Sequence, residues 1–334
     1  MVQPTIAILD EFHPKTIETI RAALPPQWRM TVAENGTETA RIDAVRDADI
    51  IFVMTAPLPA KLLNAAPKLR FVQKLGAGLD SIDLELCRSM GIGVARLQAG
   101  NAIPVAEHTL LLMLATYRRL PILDRETRSG EWNREAARAI SRQIHEKTIG
   151  LVGFGAVGRQ VAELLSGFDV RIIYADPIRA PLDIEQKLRA EQVALDELLS
   201  RSDIVSLHLP LVPETAHLIN RQRLASMKRG SVLINCARGG IVDEAALYDV
   251  LVAGHLAAAA IDTFTCEPPA NSPLLGLDQV ISTPHTAGGS IDNFRPVVER
   301  AVRNTELYLT GQELSPLELI AAPDRRRVTA PVQG

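Results

Sequence analysis

The sequence predicts an α/β protein built from two doubly wound parallel-sheet domains, and three observations carry that reading. Residues 4–97 alternate short apolar runs with amphipathic stretches, the alternation restarts at Lys147, and between them PVAEHTLLLMLATYRRL (104–120) forms one long helical pattern. Buried parallel strands read as continuous apolar runs, and each needs a crossover helix to reach the next.

In the first stretch the strands are PTIAILD, WRMTVA, ADIIFVM, LRFVQKLG and IGVARL, with PKTIETIRAAL as the first crossover helix. The 104–120 helix carries Pro104 in its first turn and Arg118 and Arg119 at its carboxyl end, both suited to those places, and it bridges two domains. The second stretch runs TIGLVGFG, a helix to Leu165, VRIIYAD, a helix near 183–190, a short QVA strand and a helix over 196–201. It continues with DIVSLHLP, a helix over 221–227, SVLINCA, a helix over 243–252, LAAAAID and QVISTP. Residues 292–310 read as a final helix packing back on the first domain. That domain is therefore expected to be discontinuous, 1–100 with 286–334, the unit 101–285 being inserted and a cleft lying between. Residues 321–334 lose periodicity, and Arg325–Arg327 read as a solvated tail.

The chain has 334 residues, enough for two cores, with 36 Lys and Arg against 39 Asp and Glu and a formal net charge of −3. No basic excess points to nucleic acid. The apolar runs are broken well short of the ~18 residues of a membrane span, and MVQPTIAILD lacks the regions of a signal peptide, so a cytoplasmic protein without membrane contact is expected. Cys87, Cys236 and Cys266 show no Cys-x-x-Cys spacing. They fit a reducing compartment, argue against zinc, and leave no metal expected. Cys236 reads as a small buried hydrophobe more than as a reactive thiol.

Gly153-Phe-Gly155-Ala-Val-Gly158 follows the strand TIGLV and opens the helix AVGRQVAELL. Glycines there allow a tight turn and close approach of a pyrophosphate, and the helix start offers N–H groups to it. The next strand ends in Asp176, where an acid would bond ribose hydroxyls and repel a 2′-phosphate, so NAD is predicted over NADP; Arg179 is the countersignal. A flavin fits less well, because the motif lies mid-chain.

Three further runs release charged groups from apolar strands. LINCARGGIVDEAAL delivers Arg238 into a double-glycine turn, AAAAIDTFTCEPP delivers Asp262 and Glu267, and QVISTPHTAGG delivers His285. Singly, Arg238 reads as a solvated turn residue, Glu267 as loop filler and His285 as structural. Placed together beyond the carboxyl ends of neighbouring parallel strands, they form a constellation in the place where open α/β sheets bind ligands.

In these motifs the sequence resembles the D-isomer-specific 2-hydroxyacid dehydrogenase family over residues 5–315. GAGLDSID (76–83), NAIPVAEHTLLLMLA (101–115), GLVGFGAVGR (150–159), LHLPLVPETAHLIN (207–220), INCARGGIVDEAAL (234–247), AAIDTFTCEP (259–268) and TPHTAGG (283–289) carry the likeness. It implies a flavodoxin-like substrate domain and a Rossmann NAD domain, and a homodimer built on the latter. By the resemblance Arg238 binds substrate, His285 is the acid/base and Glu267 its carboxylate partner. Asp262 holds the nicotinamide carboxamide, and Ala156 and Val157 donate to the pyrophosphate. His208, Leu209, Pro210 and Thr215 wall the adenosine half, while Thr109, Cys236 and Ala237 neighbour the cofactor. Ala77-Gly78 would clamp the substrate carboxylate. Lys74 could serve a phosphate or second carboxylate, the plainer alternative being a surface lysine.

The implied reaction interconverts a small 2-oxo acid and a D-2-hydroxy acid such as those of glyoxylate, hydroxypyruvate or a phosphorylated analogue. Reduction builds negative charge on the carbonyl oxygen and needs a proton donor beside a cation. His285, held by Glu267, would give the proton, and Arg238 would polarise the carbonyl. His108 and His208 are competing imidazoles, one in a helical pattern and one in a wall motif. Relatives acting on formate or phosphite share the scaffold, as do NAD-sensing protein-binding regulators. The chain stops soon after the final helix, so serine feedback through an extra carboxyl-terminal domain is not expected.

Overall fold

The computed structural model describes residues 3–322; Arg325–Arg327 lie outside them. The chain opens with β1 (Thr5–Ile8), α1 (Pro14–Ala23), β2 (Arg29–Val32), α2 (Glu38–Val45), β3 (Ile50–Val53), α3 (Ala60–Asn64), β4 (Phe71–Lys74), α4 (Leu84–Ser89) and β5 (Gly93–Ala95). It continues into a second unit, Ala102–Ser290. That unit begins with α5 (Ala102–Tyr117), α6 (Leu120–Arg128) and α7 (Arg134–Ile140). Then follow β6 (Thr148–Val152), α8 (Ala156–Leu164), β7 (Arg171–Ala175), α9 (Leu182–Leu188), β8 (Ala190–Gln192), α10 (Leu195–Arg201) and β9 (Ile204–Leu207). It closes with α11 (Arg221–Ser226), β10 (Val232–Asn235), α12 (Glu244–Val252), β11 (Ala258–Ile261) and β12 (Val280–Ser282). From Ile291 the chain belongs to the first unit again, as α13 (Ile291–Leu309) and β13 (Leu319–Ala321).

The first sheet has the order β13-β5-β4-β3-β1-β2, parallel except for the antiparallel edge strand β13. Helix α13 buries Val298 and Ala301 among Ile8, Phe52 and Phe71, and Tyr308 stacks on Phe71 with ring centroids 4.2 Å apart. Each such buried large side chain contributes about 1.5–3 kcal/mol relative to exposure, which is why the returning segment belongs to this unit.

The second sheet is wholly parallel, in the order β12-β11-β10-β9-β6-β7-β8. All five residues of β6 are buried, as expected of a strand covered on both faces. Ile149 and Leu151 face one apolar cluster and Val152 the other, following the two-residue period of a strand. Winding reverses between β6 and β9, so the crevice at their carboxyl ends is the topological switch point.

Two sequence expectations change. The 104–120 pattern is not one helix: α5 ends at Tyr117, Arg119 takes a left-handed conformation (φ 53°), and α6 restarts with Pro121 in its first turn. Proline lacks the N–H that would continue the earlier helix, but suits the start of a new one. The short strand expected at 192–194 pairs instead as Ala190–Gln192, in register with Ile172–Tyr174.

Candidate active site

The glycine motif adopts the conformation a dinucleotide needs. Gly153 has φ +91°, and a Cβ there would lie 2.4 Å from the His208 carbonyl oxygen; at Gly158 it would lie 2.4 Å from the Gly153 oxygen. Around Gly155, by contrast, no atom of the described residues stands within 4 Å of that position. Gly155 begins α8 without any side-chain cap, which leaves the N–H groups of the first turn, Ala156 and Val157 among them, facing an open approach. The residues present therefore fit a pyrophosphate.

Asp176, at the end of β7, accepts from the Phe154 N–H (2.8 Å) and the Ile178 N–H (2.9 Å), which fixes its carboxylate beside the glycine turn. Arg179, the countersignal for NADP, is already engaged: its Nε and Nη2 donate to the two oxygens of Glu185 at 3.1 and 3.0 Å. Glu185 also accepts from the Tyr174 hydroxyl (2.6 Å), and these bonds hold its carboxyl below the usual range. A 2′-phosphate would have to compete with that bidentate pair.

Arg238 follows β10 in extended backbone, half-buried. Asn235, at the last position of the strand, shapes the turn: its amide donates to the Arg238 carbonyl (2.9 Å) and its oxygen accepts from the Ala237 N–H (3.0 Å). The Arg238 Nη1 donates to the Ala237 carbonyl at 2.7 Å. A Cβ on Gly239 would stand 2.0–2.3 Å from the backbone of Phe264 and Thr265, so only glycine lets the arginine loop press against the loop that carries Glu267.

That second loop is tied in turn. The Glu267 Oε1 accepts from the Phe264 N–H (3.0 Å), the Glu244 Oε1 accepts from the Thr265 N–H (2.6 Å), and the Glu267 Oε2 meets His285 Nδ1 at 2.8 Å. The Glu267 and His285 side chains keep 39% and 37% of their surface exposed. With Nδ1 bound to the carboxylate, Nε2 is the nitrogen left to exchange a proton with a ligand.

His285 sits at φ +50°, a conformation that costs a non-glycine residue free energy and persists only when its surroundings impose it. Asp262 imposes it. Its carbonyl accepts from the His285 N–H (2.8 Å), and its buried carboxylate accepts from the Thr283 hydroxyl (2.6 Å), the Thr286 N–H (2.9 Å) and the Ala287 N–H (3.0 Å). The role visible for Asp262 is thus to clamp the histidine loop. Thr283, the last partner in that clamp, was not singled out in the sequence, nor was Asn235; each is a polar residue at the end of an apolar strand, which is the signal that could have found it.

His108 Nε2 lies 3.2 Å from the Thr283 hydroxyl oxygen, and that hydroxyl already gives its proton to Asp262. His108 is part of the scaffold of the loop. His208 follows β9, its N–H bonded to the Val152 carbonyl (2.7 Å), and both ring nitrogens are shut away without partners among the described residues. Burial pushes its pKa down to about 3, so it stays neutral near pH 7 and cannot supply a proton. Leu209 packs against the apolar cluster that contains Leu207 and Ile241, Pro210 is exposed, and the Thr215 hydroxyl donates to the Pro210 carbonyl at 2.7 Å, holding this wall segment in shape. Cys236 and Ala237 are buried, and Cys236 lies in hydrogen-bond contact with Thr109 of α5. Burial pushes the Cys236 thiol up to about 12, which agrees with an inert packing role.

In the first unit, Lys74 ends β4 and is 6% exposed, which overturns the surface-lysine alternative. Its ammonium donates to the Met54 carbonyl and to the Ser81 hydroxyl (3.0 Å for the latter). Ala77 and Gly78 are partly exposed, and the Ala77 carbonyl accepts from Arg96 at 3.4 Å.

A parallel sheet with a glycine-lined helix start at its switch point, and an imidazole–carboxylate pair on neighbouring strand ends, defines the dinucleotide-dependent oxidoreductase class. Residues 110–287 match the model of the D-isomer specific 2-hydroxyacid dehydrogenase, NAD binding domain. D-3-phosphoglycerate dehydrogenase of Mycobacterium tuberculosis is 38% identical over 93% of this chain. The chain spans 58% of the length of that relative. Glyoxylate reductase of Korarchaeum cryptofilum is 37% identical over 81% of this chain and 82% of its own length. Among solved structures, D-lactate dehydrogenase from Aquifex aeolicus, complexed with NAD and lactic acid, superposes with a TM-score of 0.83 at 26% identity, covering 96% of this chain and all of that one. The chain belongs to the D-isomer-specific 2-hydroxyacid dehydrogenase family.

Proposed function

We propose that this protein is an NAD-dependent oxidoreductase that interconverts a small 2-oxo acid and the corresponding D-2-hydroxy acid. The observation that carries this reading is the His285–Glu267 pair at 2.8 Å, on a loop held against the Arg238 turn, in the unit whose uncapped α8 fits a dinucleotide. When bound, NAD supplies the hydride acceptor or donor. In reduction, His285 gives the proton from Nε2 to the carbonyl oxygen while Glu267, on Nδ1, fixes the ring and stabilises the imidazolium. Arg238 binds the 2-oxo acid and stabilises the developing negative oxygen. Asp262 orients the loop and, by the family resemblance, would hold the nicotinamide carboxamide. His208, Leu209, Pro210 and Thr215 border the adenosine half, with Thr109, Cys236 and Ala237 near the cofactor. By the family resemblance Ala77-Gly78 would take the substrate carboxylate, and a phosphate or second carboxylate could use Lys74 only in competition with its bonds to Met54 and Ser81.

Three free cysteines and a net charge of −3 support a cytoplasmic, non-nucleic-acid role. Exposed Leu111, Leu120 and Trp132 support a homodimer through the NAD unit, which sedimentation velocity tests. A panel of glyoxylate, hydroxypyruvate, pyruvate and 3-phosphohydroxypyruvate with NADH, and formate with NAD, tests the reaction; formate oxidation without 2-oxo acid reduction would overturn it. NADH is expected to outperform NADPH, and Asp176→Ser to narrow the gap; equal efficiency in the unmodified protein would remove the role given to Asp176.

A further inference from the structure

The second unit carries a cavity of about 190 Å³ far from the residues above, lined by Thr116, Tyr117, Arg119, Arg142, Val232 and Ala258 among others. Val232 and Ala258 are the first residues of β10 and β11. Arg238 and Asp262 follow the last residues of the same strands, so the cavity lies at the amino end of the sheet, roughly 13 Å away along each four-residue strand.

Two guanidiniums converge there. Arg119 donates through Nη2 to the Ala257 carbonyl (3.0 Å), and Arg142 through Nη1 to the Gly230 carbonyl (2.5 Å). Neither has a carboxylate partner among the described residues, although most arginines of this chain with an ion pair meet theirs within 3.5 Å. Each guanidinium has five donors in a fixed fork and uses one of them on a neutral carbonyl. Burial and the neighbouring Arg142 charge both lower the pKa of Arg119, as expected of like charges held close. An independent observation comes from Thr116: it is 3% exposed, lines the cavity, and its hydroxyl has no hydrogen-bond partner among the described residues. Buried hydroxyls without partners are uncommon and ask for an explanation.

We propose that this cavity is a binding site for a small oxyanion of the phosphate class, held by Arg119, Arg142 and the Thr116 hydroxyl at the end of the sheet opposite the candidate active site. The cavity is smaller than the ~300 Å³ at which pockets for drug-sized ligands begin, which restricts the occupant to an ion or a small group. Two cations and a neutral donor match an oxyanion with several acceptor oxygens, and bidentate contact is the geometry guanidinium favours.

The test titrates inorganic phosphate into the protein by calorimetry and by melting temperature. Ionic strength is matched with chloride, and NADH is kept saturating so that the glycine-rich turn is occupied. Saturable binding is expected, with a melting temperature that rises with phosphate. Arg119→Gln and Arg142→Gln should each weaken binding about tenfold or more, and Thr116→Val by a smaller factor, since a charged contact outweighs a neutral one. Without phosphate, Arg142→Gln should melt no lower than the unmodified protein, because a like-charge contact has been removed; this separates lost binding from lost folding. The proposal is overturned if phosphate does not saturate, or if the Arg119→Gln, Arg142→Gln double variant gains as much stability from phosphate as the parent. It is also overturned if the substitutions leave phosphate binding intact and change only the sedimenting mass, since the anion would then be a carboxylate of a second copy.

Discussion

The carboxyl ends of the two parallel sheets use charged residues in opposite ways. In the first unit, Asp10 just beyond β1 is 5% exposed and accepts from the N–H groups of Met54, Thr55 and Ala56 and from the Thr55 hydroxyl, at 2.5–2.8 Å. Lys74, the last residue of β4, is buried on Met54 and Ser81. In the second unit, α8 starts without a side-chain cap, and Glu267 and His285 remain more than a third exposed. One sheet end spends its polar groups on its own loops. The other keeps donors, an imidazole face and an open glycine turn for something else, while assigning the clamping to Asp262, Asn235 and Thr283. Architecture alone does not make a site; the distribution of satisfied and unsatisfied groups does.

The sharpest way to break the comparison is to remove the exposed pair. His285→Ala is expected to lower turnover in 2-oxo acid reduction roughly 10²- to 10⁴-fold, the range for loss of a general acid, with NADH affinity kept. Glu267→Gln keeps the shape of the bond but not the charge that stabilises imidazolium, so it should slow reduction more than oxidation of the hydroxy acid. Single-turnover rates in both directions measure this. Full activity in His285→Ala would reduce the pair to a structural feature.

Arg238→Lys should cost about 10²- to 10³-fold in kcat/KM, because a single ammonium cannot reproduce two parallel donors to the substrate or follow the developing oxyanion. Steady-state kinetics with fluorescence titration of NADH checks it. A collapse of cofactor affinity with an unchanged substrate KM would move Arg238 to the cofactor side.

Much of this division was legible in the sequence, for identifiable reasons. Apolar runs mark buried parallel strands, and the residues just past them, Arg238, Asp262, Glu267 and His285, are placed by the strands themselves. The Asp176 position follows in the same way from β7. What the sequence hid depends on tertiary contact. The break at Arg119 is a choice between continuing α5 and restarting at Pro121. The burial of Lys74 depends on Ser81 and Met54 arriving from other loops. The binding of Arg179 by Glu185 needs α9 folded against Tyr174. No local pattern encodes these pairings, since each residue type also occurs in ordinary solvated turns.

The opposite side of the comparison predicts loss of stability without loss of chemistry. Asp10→Asn replaces an acceptor by an amide whose NH₂ faces backbone donors, so at least one of four bonds is lost inside the first unit. The cost is expected to be about 2–3 kcal/mol, typical of charge-assisted bonds made to buried groups. Thermal unfolding followed together with NADH binding measures it. A fall in NADH affinity with an unchanged melting temperature would show that Asp10 serves the site and not its own loops.

The smallest expected effect concerns His208, a group of the second unit buried with both ring nitrogens unpartnered. Burial pushes its folded pKa down to about 3, well below the ordinary imidazole value of 6.5. Between those values the unfolded chain binds a proton at this residue and the folded chain does not, so stability falls as pH drops from about 6.5 toward 3 and is fully present above that window. His208→Leu removes the proton-binding group from the unfolded state. In the cofactor-free protein the variant should therefore lose less melting temperature between pH 7 and pH 5 than the parent does. Parallel curves for the two proteins over that range would mean that the ring takes up its proton in the folded state as readily as in the unfolded one. His208 would then belong with the accessible groups of the site and not with its buried wall.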